Sequence, residues 1–211
     1  MVYFFTTHDT QYIIYMGRDK FENEHLLQYG WEEDVWFHVD KHSSAHVYLR
    51  LPSGKTIDEI PSNILEDCAQ LVKYNSIEGN KLHSVVVVYT SWSNLKKTGD
   101  MDVGQVGFKD RKSVKTITVE RRKNDIINRL EKSKREAFPN LAQEKEDHER
   151  EHILKRKQAF KEQLKAEKLQ RQEQELRRQE LSYSRIMVED NMTSNKDLES
   201  STFEEYEESF L

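Results

Sequence analysis

Hydrophobic and polar positions alternate most clearly over residues 31–51, WEEDVWFHVDKHSSAHVYLRL. Two runs of period two, joined by a short polar turn, predict a β-hairpin with two chemically different faces. Val35, Phe37 and Val39 fall on one side of the first strand, and Trp36, His38 and Asp40 on the other. In the second strand Ala45, Val47, Leu49 and Leu51 share a side, opposite His46, Tyr48 and Arg50. One face is aliphatic and suited to packing on a helix. The other gathers an indole, two imidazoles, a phenol and a guanidinium.

The same pattern, read outward, supplies the neighbours. Residues 2–5 and 12–16 are β-rich runs separated by a polar turn. Asp19 can cap a short helix through Gln28, with Phe21, Leu26 and Leu27 as its apolar contacts and Gly30 ending it. Pro61 and Ser62 open a helix to about Glu78, whose stripe of Ile64, Leu65, Cys68, Leu71 and Val72 follows helical spacing. Residues 85–89 are apolar on both faces, which predicts a central strand. Residues 103–108 and 114–119 are further strand candidates, and from Asn124 a helix carries Ile126, Ile127 and Leu130 on one side. After Pro139, residues 141–181 contain neither Gly nor Pro and predict a helix of roughly 60 Å. Its apolar residues are sparse, and the pairs Ile153–Phe160 and Leu169–Leu176 are out of register. A solvated helix held by charge pairs four apart is therefore expected, with a coiled coil as the alternative.

The expected fold is α+β, with a mixed, largely antiparallel sheet and a packed helix in residues 1–135. A long charged C-terminal helix at 139–182 and a disordered acidic tail at 183–211 follow. Charge supports this division. Residues 91–135 hold 13 Lys/Arg against 6 Asp/Glu, whereas residues 189–211 hold one Lys against eight acids. The overall charge of −5 hides both segments. Cys68 is the only cysteine, so no internal disulfide can form and a reducing compartment, cytoplasmic or nuclear, is expected. No secretory signal is expected from the N-terminus, and no apolar run approaches the ~20 residues needed to span a bilayer.

Three patches carry candidate chemistry. On the face formed by Trp36, His38, His46, Tyr48 and Arg50, rings could stack on bases while the cation meets phosphate. The alternative is that another element covers this face and the rings are ordinary core. The second patch is Gly17-Arg18-Asp19-Lys20, where a strand ends and a helix begins. Helix-start N–H groups attract phosphate, although Asp19 opposes it, and a plain turn is the alternative. The third is residues 91–108, with Lys96 and Lys97 near Trp92 as an exposed aromatic candidate; a solvated basic loop is the alternative. Its glycines match no nucleotide-hydrolysing spacing. No metal site or cofactor is expected, since His38, His42 and His46 have no cysteine nearby and would first have to converge. His38 with Asp34 or Asp40 could move a proton, but no nucleophile completes the set, so catalysis is not expected.

Blocks of these residues resemble the NFACT-R (NFACT RNA-binding) domain family. They are MGRDKFENEHL, DVWFHVD, SSAHVYLRL, KYNS, VVYT, NLKK and GQVGF, in that order over roughly residues 1–135. The same domain closes the large ribosome-quality-control factors and their bacterial fibronectin-binding-like relatives. The resemblance implies nucleic-acid binding, with its characteristic residues falling on Gly17, Arg18, Asn23, Glu24, Asp34, Trp36, His38 and His46. Asp19 stands where the large factors usually carry asparagine, and His42-Ser43 where they carry Pro-Gly. This chain is expected to lack their N-terminal and helical middle domains, so peptide tailing is not implied. Animal members of the family are linked with sensing extracellular DNA at the cell surface. The segment of Arg18, Asp19, Lys20, Phe21 and Glu22 matches the DNA contact proposed there.

The expected function is non-catalytic binding of RNA or DNA through the aromatic-cationic face and the adjacent basic loops. Exchange of Trp36 or Arg50 for Ala is expected to weaken binding and leave the fold intact. Two alternatives stand beside it. One is a membrane-associated receptor for extracellular DNA at the plasma membrane. The other is a scaffold whose helix at 139–182 meets a protein partner.

Overall fold

Every strand pairing among the described residues is antiparallel. The structure is a computed structural model that describes residues 1–182; the acidic tail expected at 183–211 lies outside them. The strands are β1 (Val2–Thr6), β2 (Ile13–Gly17), β3 (Asp34–Val39), β4 (Val47–Arg50), β5 (Val85–Ser91), β6 (Leu95–Lys96), β7 (Gly107–Phe108), β8 (Lys115–Val119) and β9 (Arg135–Ala137). Seven of them form one sheet in the order β8-β5-β3-β4-β2-β1-β9, and β6 and β7 make a separate hairpin. The helices are α1 (Lys20–Tyr29), α2 (Ser62–Tyr74), α3 (Asn124–Ser133) and α4 (Leu141–Leu181).

The central hairpin forms as its alternation requires. β3 and β4 pair with Val35 opposite Leu49, Trp36 opposite Tyr48 and Asp34 opposite Arg50. On the aliphatic side Val35, Phe37, Val39, Val47 and Leu49 pack against Ile64, Cys68, Leu71 and Val72 of α2 and Leu130 of α3. Each such side chain contributes about 1.5–3 kcal/mol by leaving water. Cys68 is fully buried, and burial pushes its thiol pKa well up, so it acts as a small hydrophobe.

α2 stops at Tyr74, four residues short of the expected end. Asn75 closes it, its backbone N–H and its side-chain amide both donating to the Leu71 carbonyl. β5 lies second from the sheet edge rather than at the centre. Its Val86 is 39% exposed, so apolar composition on two faces does not mean burial on two faces. Of residues 103–108 only Gly107–Phe108 is strand. The stretch before it turns, with the Gln105 N–H donating to Asp102 O and Gly104 at φ +89°. β9, which has no apolar signature, pairs with the edge of β1.

Backbone contacts divide the chain after Arg150. The first compact unit is Met1–Arg150 and so includes the opening turns of α4, beyond the boundary expected at 135. The second begins at Glu151, and its described part is helix with Ile153, Phe160, Leu164, Leu169 and Leu176 exposed. Lys155 pairs with Glu151 one turn away at 2.7 Å, the kind of contact that holds a solvated helix.

Gly30 ends α1 where the Trp92 indole lies across the backbone and donates from Nε1 to Leu27 O at 2.9 Å. A Cβ on Gly30 would sit 2.2 Å from that nitrogen. Gly30→Ala is therefore expected to cost about 1–3 kcal/mol in chemical denaturation; unchanged stability would mean that the indole is free to move aside.

Candidate nucleic-acid interface

The face of the sheet that carries Trp36, Tyr48 and Arg50 is not open. Leu26 and Leu27 of α1, Leu95 of β6 and Phe108 of β7 pack on it with Trp92 and Leu141. Trp36 and Tyr48 are buried, and Tyr48 stacks on Tyr15 at 5.1 Å. The expectation of solvent-facing stacking rings on Trp36 and Tyr48 is thus overturned. The physical reason is magnitude: burying each ring contributes about 2–3 kcal/mol permanently. Stacking on a base yields a similar sum only while the ligand is bound.

Arg50 is likewise committed to the fold. Its guanidinium donates to Asp34 through Nε at 2.9 Å and Nη2 at 3.1 Å, and it lies 3.5 Å from the Trp31 ring centre. Asp34 is fully buried and also accepts from the Tyr15 hydroxyl and the Trp31 N–H, each at 2.7 Å. Burial, with Asp34 beside it, pushes the Tyr15 phenol well up, so it remains a donor. Trp31 stacks on His148 of α4 at 3.8 Å. Arg50 therefore answers a buried carboxylate and is not presented to phosphate. Nor does Asp34 serve His38, whose Nδ1 is 2.7 Å from Val39 O. The signal for this was in the register, since pairing Trp36 with Tyr48 sets Asp34 opposite Arg50.

What does open to solvent is a cleft of about 270 Å³ at one end of that covered face. Three segments make its walls: the Gly17–Lys20 turn, the tip of the β3–β4 hairpin, and the loop before β7. Arg18 and Lys20 are exposed at the first wall. Ser43 and Ser44 line the hairpin tip, which is held by Ser76 Oγ donating to Ser43 O at 2.6 Å. Val103 and Gly104 line the third wall. That loop is fixed by Glu24, which accepts from the Gly104 N–H at 2.7 Å and pairs with Lys97 at 2.9 Å. Gly104 adopts a left-handed backbone that a Cβ would disfavour.

His38, His46 and Asn23 complete the cleft. The imidazoles lie 4.8 Å apart, and His46 Nδ1 accepts from the buried Trp36 indole at 2.7 Å. Burial, and then the His38 ring beside it, push the His46 pKa down to about 3. Burial also lowers that of His38. Both are neutral at ordinary pH. Asn23 is 4% exposed, on the inward stripe of α1 with Leu26 and Leu27. Its Oδ1 accepts from the Tyr48 hydroxyl at 2.7 Å, and its Nδ2 has no partner among the described residues. The family resemblance marked Asn23, but charge and aromaticity did not select it.

The other expected contacts are distributed differently. Asp19 accepts from the Phe21 and Glu22 N–H groups at 3.0 and 2.9 Å and meets Arg18 Nη2 at 3.2 Å. The Glu22 N–H, above all, lowers its pKa. Two of the helix-start donors that could have met phosphate are thereby used. Glu22 pairs with the chain's own N-terminus at 2.7 Å. Phe21, expected as an apolar contact of α1, is 63% exposed beside Lys20. Lys97 is tied to Glu24, Asp102 O and Gln105 O, whereas Lys96 is exposed on β6. Trp92, expected to be exposed, is half-buried against Gly30. Much of the basic segment serves the fold too, with Lys123 on Glu66, Lys115 on Asp58 and Arg129 on Asp67.

Residues 1–110 match the family model of the NFACT protein RNA-binding domain. The chain is 54% identical over 204 residues to coiled-coil domain-containing protein 25 of Mus musculus, covering 93% of this chain and 96% of that one. The protein of the same description from Danio rerio is 60% identical over 153 residues, covering 72% of this chain and 74% of that one. Among solved structures the chain is similar to the C-terminal part of the fibronectin/fibrinogen-binding protein from Streptococcus suis. That match has a TM-score of 0.50 and 21% identity, spans 60% of this chain and 48% of the other, and concerns the fold alone.

Two outcomes follow from this geometry. Arg50→Ala leaves Asp34 buried without its cation and is expected to cost about 3–5 kcal/mol in denaturant; a fully stable variant would contradict it. The unfolded chain takes up a proton on His46 below about pH 6.5 that the folded chain refuses until about 3. Stability is therefore complete above that range and declines as pH falls through it, by on the order of 1–2 kcal/mol at about pH 5. His38 acts in the same direction. His46→Gln, which keeps an acceptor for Trp36, should narrow the difference between neutral and acidic denaturation curves. An unchanged difference would assign the acid sensitivity elsewhere.

Proposed function

The chain belongs to the NFACT protein RNA-binding domain family, and from that premise we propose that it is a non-catalytic RNA-binding protein whose contact site is the cleft beneath Arg18 and Lys20. One observation carries the reading. The covered sheet face opens to solvent at a pocket with cations on its rim and hydrogen-bonding groups in its floor, and every residue lining it falls within the matched stretch. Arg18, Lys20 and Lys96 provide phosphate contacts from exposed positions, and Trp36 and Tyr48 support the site from below through His46 and Asn23 without touching ligand. His38 and His46 line its floor as neutral rings whose Nδ1 atoms are bonded to Val39 O and the Trp36 indole. A cytoplasmic or nuclear location fits an RNA partner and a lone buried thiol.

DNA is the competing ligand, since rim cations do not distinguish the two backbones. No feature of the described residues favours a membrane-attached DNA receptor, and no helix among them is long and apolar enough to cross a membrane. A protein-binding role for α4 has one observation behind it: the exposed Ile153, Phe160, Leu164, Leu169 and Leu176.

Arg18→Ala with Lys20→Ala is expected to weaken RNA binding and flatten its salt dependence. Each lost phosphate contact removes roughly 0.7 from the slope of log K against log salt on single strands. Fluorescence anisotropy across a salt series measures it. Loss of binding on replacing the apolar residues of α4, with the rim variant unaffected, would transfer the activity to the helix.

A further inference from the structure

The floor and the rim of the cleft differ in chemistry. The rim holds Arg18, Asp19 and Lys20, all exposed, with Arg18 paired to Asp19 at 3.2 Å and Lys20 leaving a net positive charge. The floor holds Asn23 and the two histidines, buried or half-buried and neutral. Val103, 44% exposed, adds an apolar contact at the mouth. A phosphate seated on such a floor would lose hydration without gaining a counter-charge, which is costly. Two nearby N–H groups of α1 that could have compensated it, those of Phe21 and Glu22, are already bonded to Asp19. An uncharged flat ring with hydrogen-bonding edges meets no such cost.

Asn23 sharpens the point. Its amide is buried, its Oδ1 is fixed by Tyr48, and its Nδ2 lacks a partner. Turning the amide over would only exchange which atom is orphaned. An unpaired buried polar atom costs about 1–3 kcal/mol, and a base whose entry shifted the Asn23 side chain enough to expose Nδ2 to its acceptor would relieve it. The cleft is also too small to admit a base pair with both backbones, so a duplex could reach only its rim.

The geometry points to a pocket for the base of a single unpaired nucleotide, with an acceptor on the base edge at Asn23, the ring beside His38 and His46, and the phosphate on Arg18 and Lys20. This inference rests on the RNA-binding reading above and deepens it. The protein would then select strands with unpaired nucleotides over blunt duplexes. The selection would come from the floor, and general affinity from the rim.

The test compares full-length protein binding to a short oligouridine strand and to a blunt RNA duplex of equal length at one salt concentration. Ring signals of His38 and His46 are followed by NMR in parallel, with uridine monophosphate and with inorganic phosphate as probes. The expected result is at least about tenfold tighter binding to the single strand, equivalent to roughly 1.4 kcal/mol. The histidine signals should shift with the nucleotide and not with phosphate. Asn23→Asp, which keeps an acceptor for Tyr48 but removes the donor, should erase the preference. The wild-type NMR titration decides the matter should that variant fail to fold. Equal affinity for strand and duplex with silent histidines would overturn the base pocket and leave RNA binding through the rim intact. Binding to neither RNA would overturn both.

Discussion

A single buried carboxylate organises the half of the domain that carries the cleft. Asp34 opens β3 with no solvent exposure, where an unpaired charge would cost several kcal/mol. It is answered by the Arg50 guanidinium, the Tyr15 hydroxyl and the Trp31 N–H. Those contacts join β2, β3 and β4 and draw Trp31 over Arg50, where His148 of α4 stacks on it. The charged patch that looked like a ligand contact is therefore a fastening inside the domain.

With that end of the covered face closed, the opposite end acquires its character. Tyr48 reaches from the stacked Tyr15 to Asn23, and Trp36 reaches His46, so two core aromatics orient two groups of the cleft. The walls are fixed independently. Asp19 caps α1, Ser76 holds the hairpin tip, and Glu24 gathers Lys97 and the Gly104 backbone. Side chains positioned by rigid elements pay little ordering cost on binding, which suits a small pocket whose contacts are few.

One ambiguity separates the expected face from the observed one. A face carrying Trp36, Tyr48 and Arg50 reads the same whether it is to be stacked by bases or by the protein's own residues. Leu26, Leu27, Leu95 and Phe108, scattered over more than eighty positions, decide for the protein, and their convergence depends on long-range packing. Lys97 shows the same limit. Its charge is legible, but its three partners near α1 and the following loop are not.

Local pattern determined the hairpin, its two faces, the Asp19 cap, the buried Cys68 and the long helix at 141–181, because each follows from side-chain period or from bonds between near neighbours. The quoted blocks also carried the family resemblance. Only the tertiary structure decided which polar groups remain available to a ligand. That property is a difference between what a side chain can bond and what the rest of the chain has already bonded. Arg50 lost its availability to Asp34, while Asn23, unremarkable by charge, kept an amide nitrogen unmatched at the edge of a cleft.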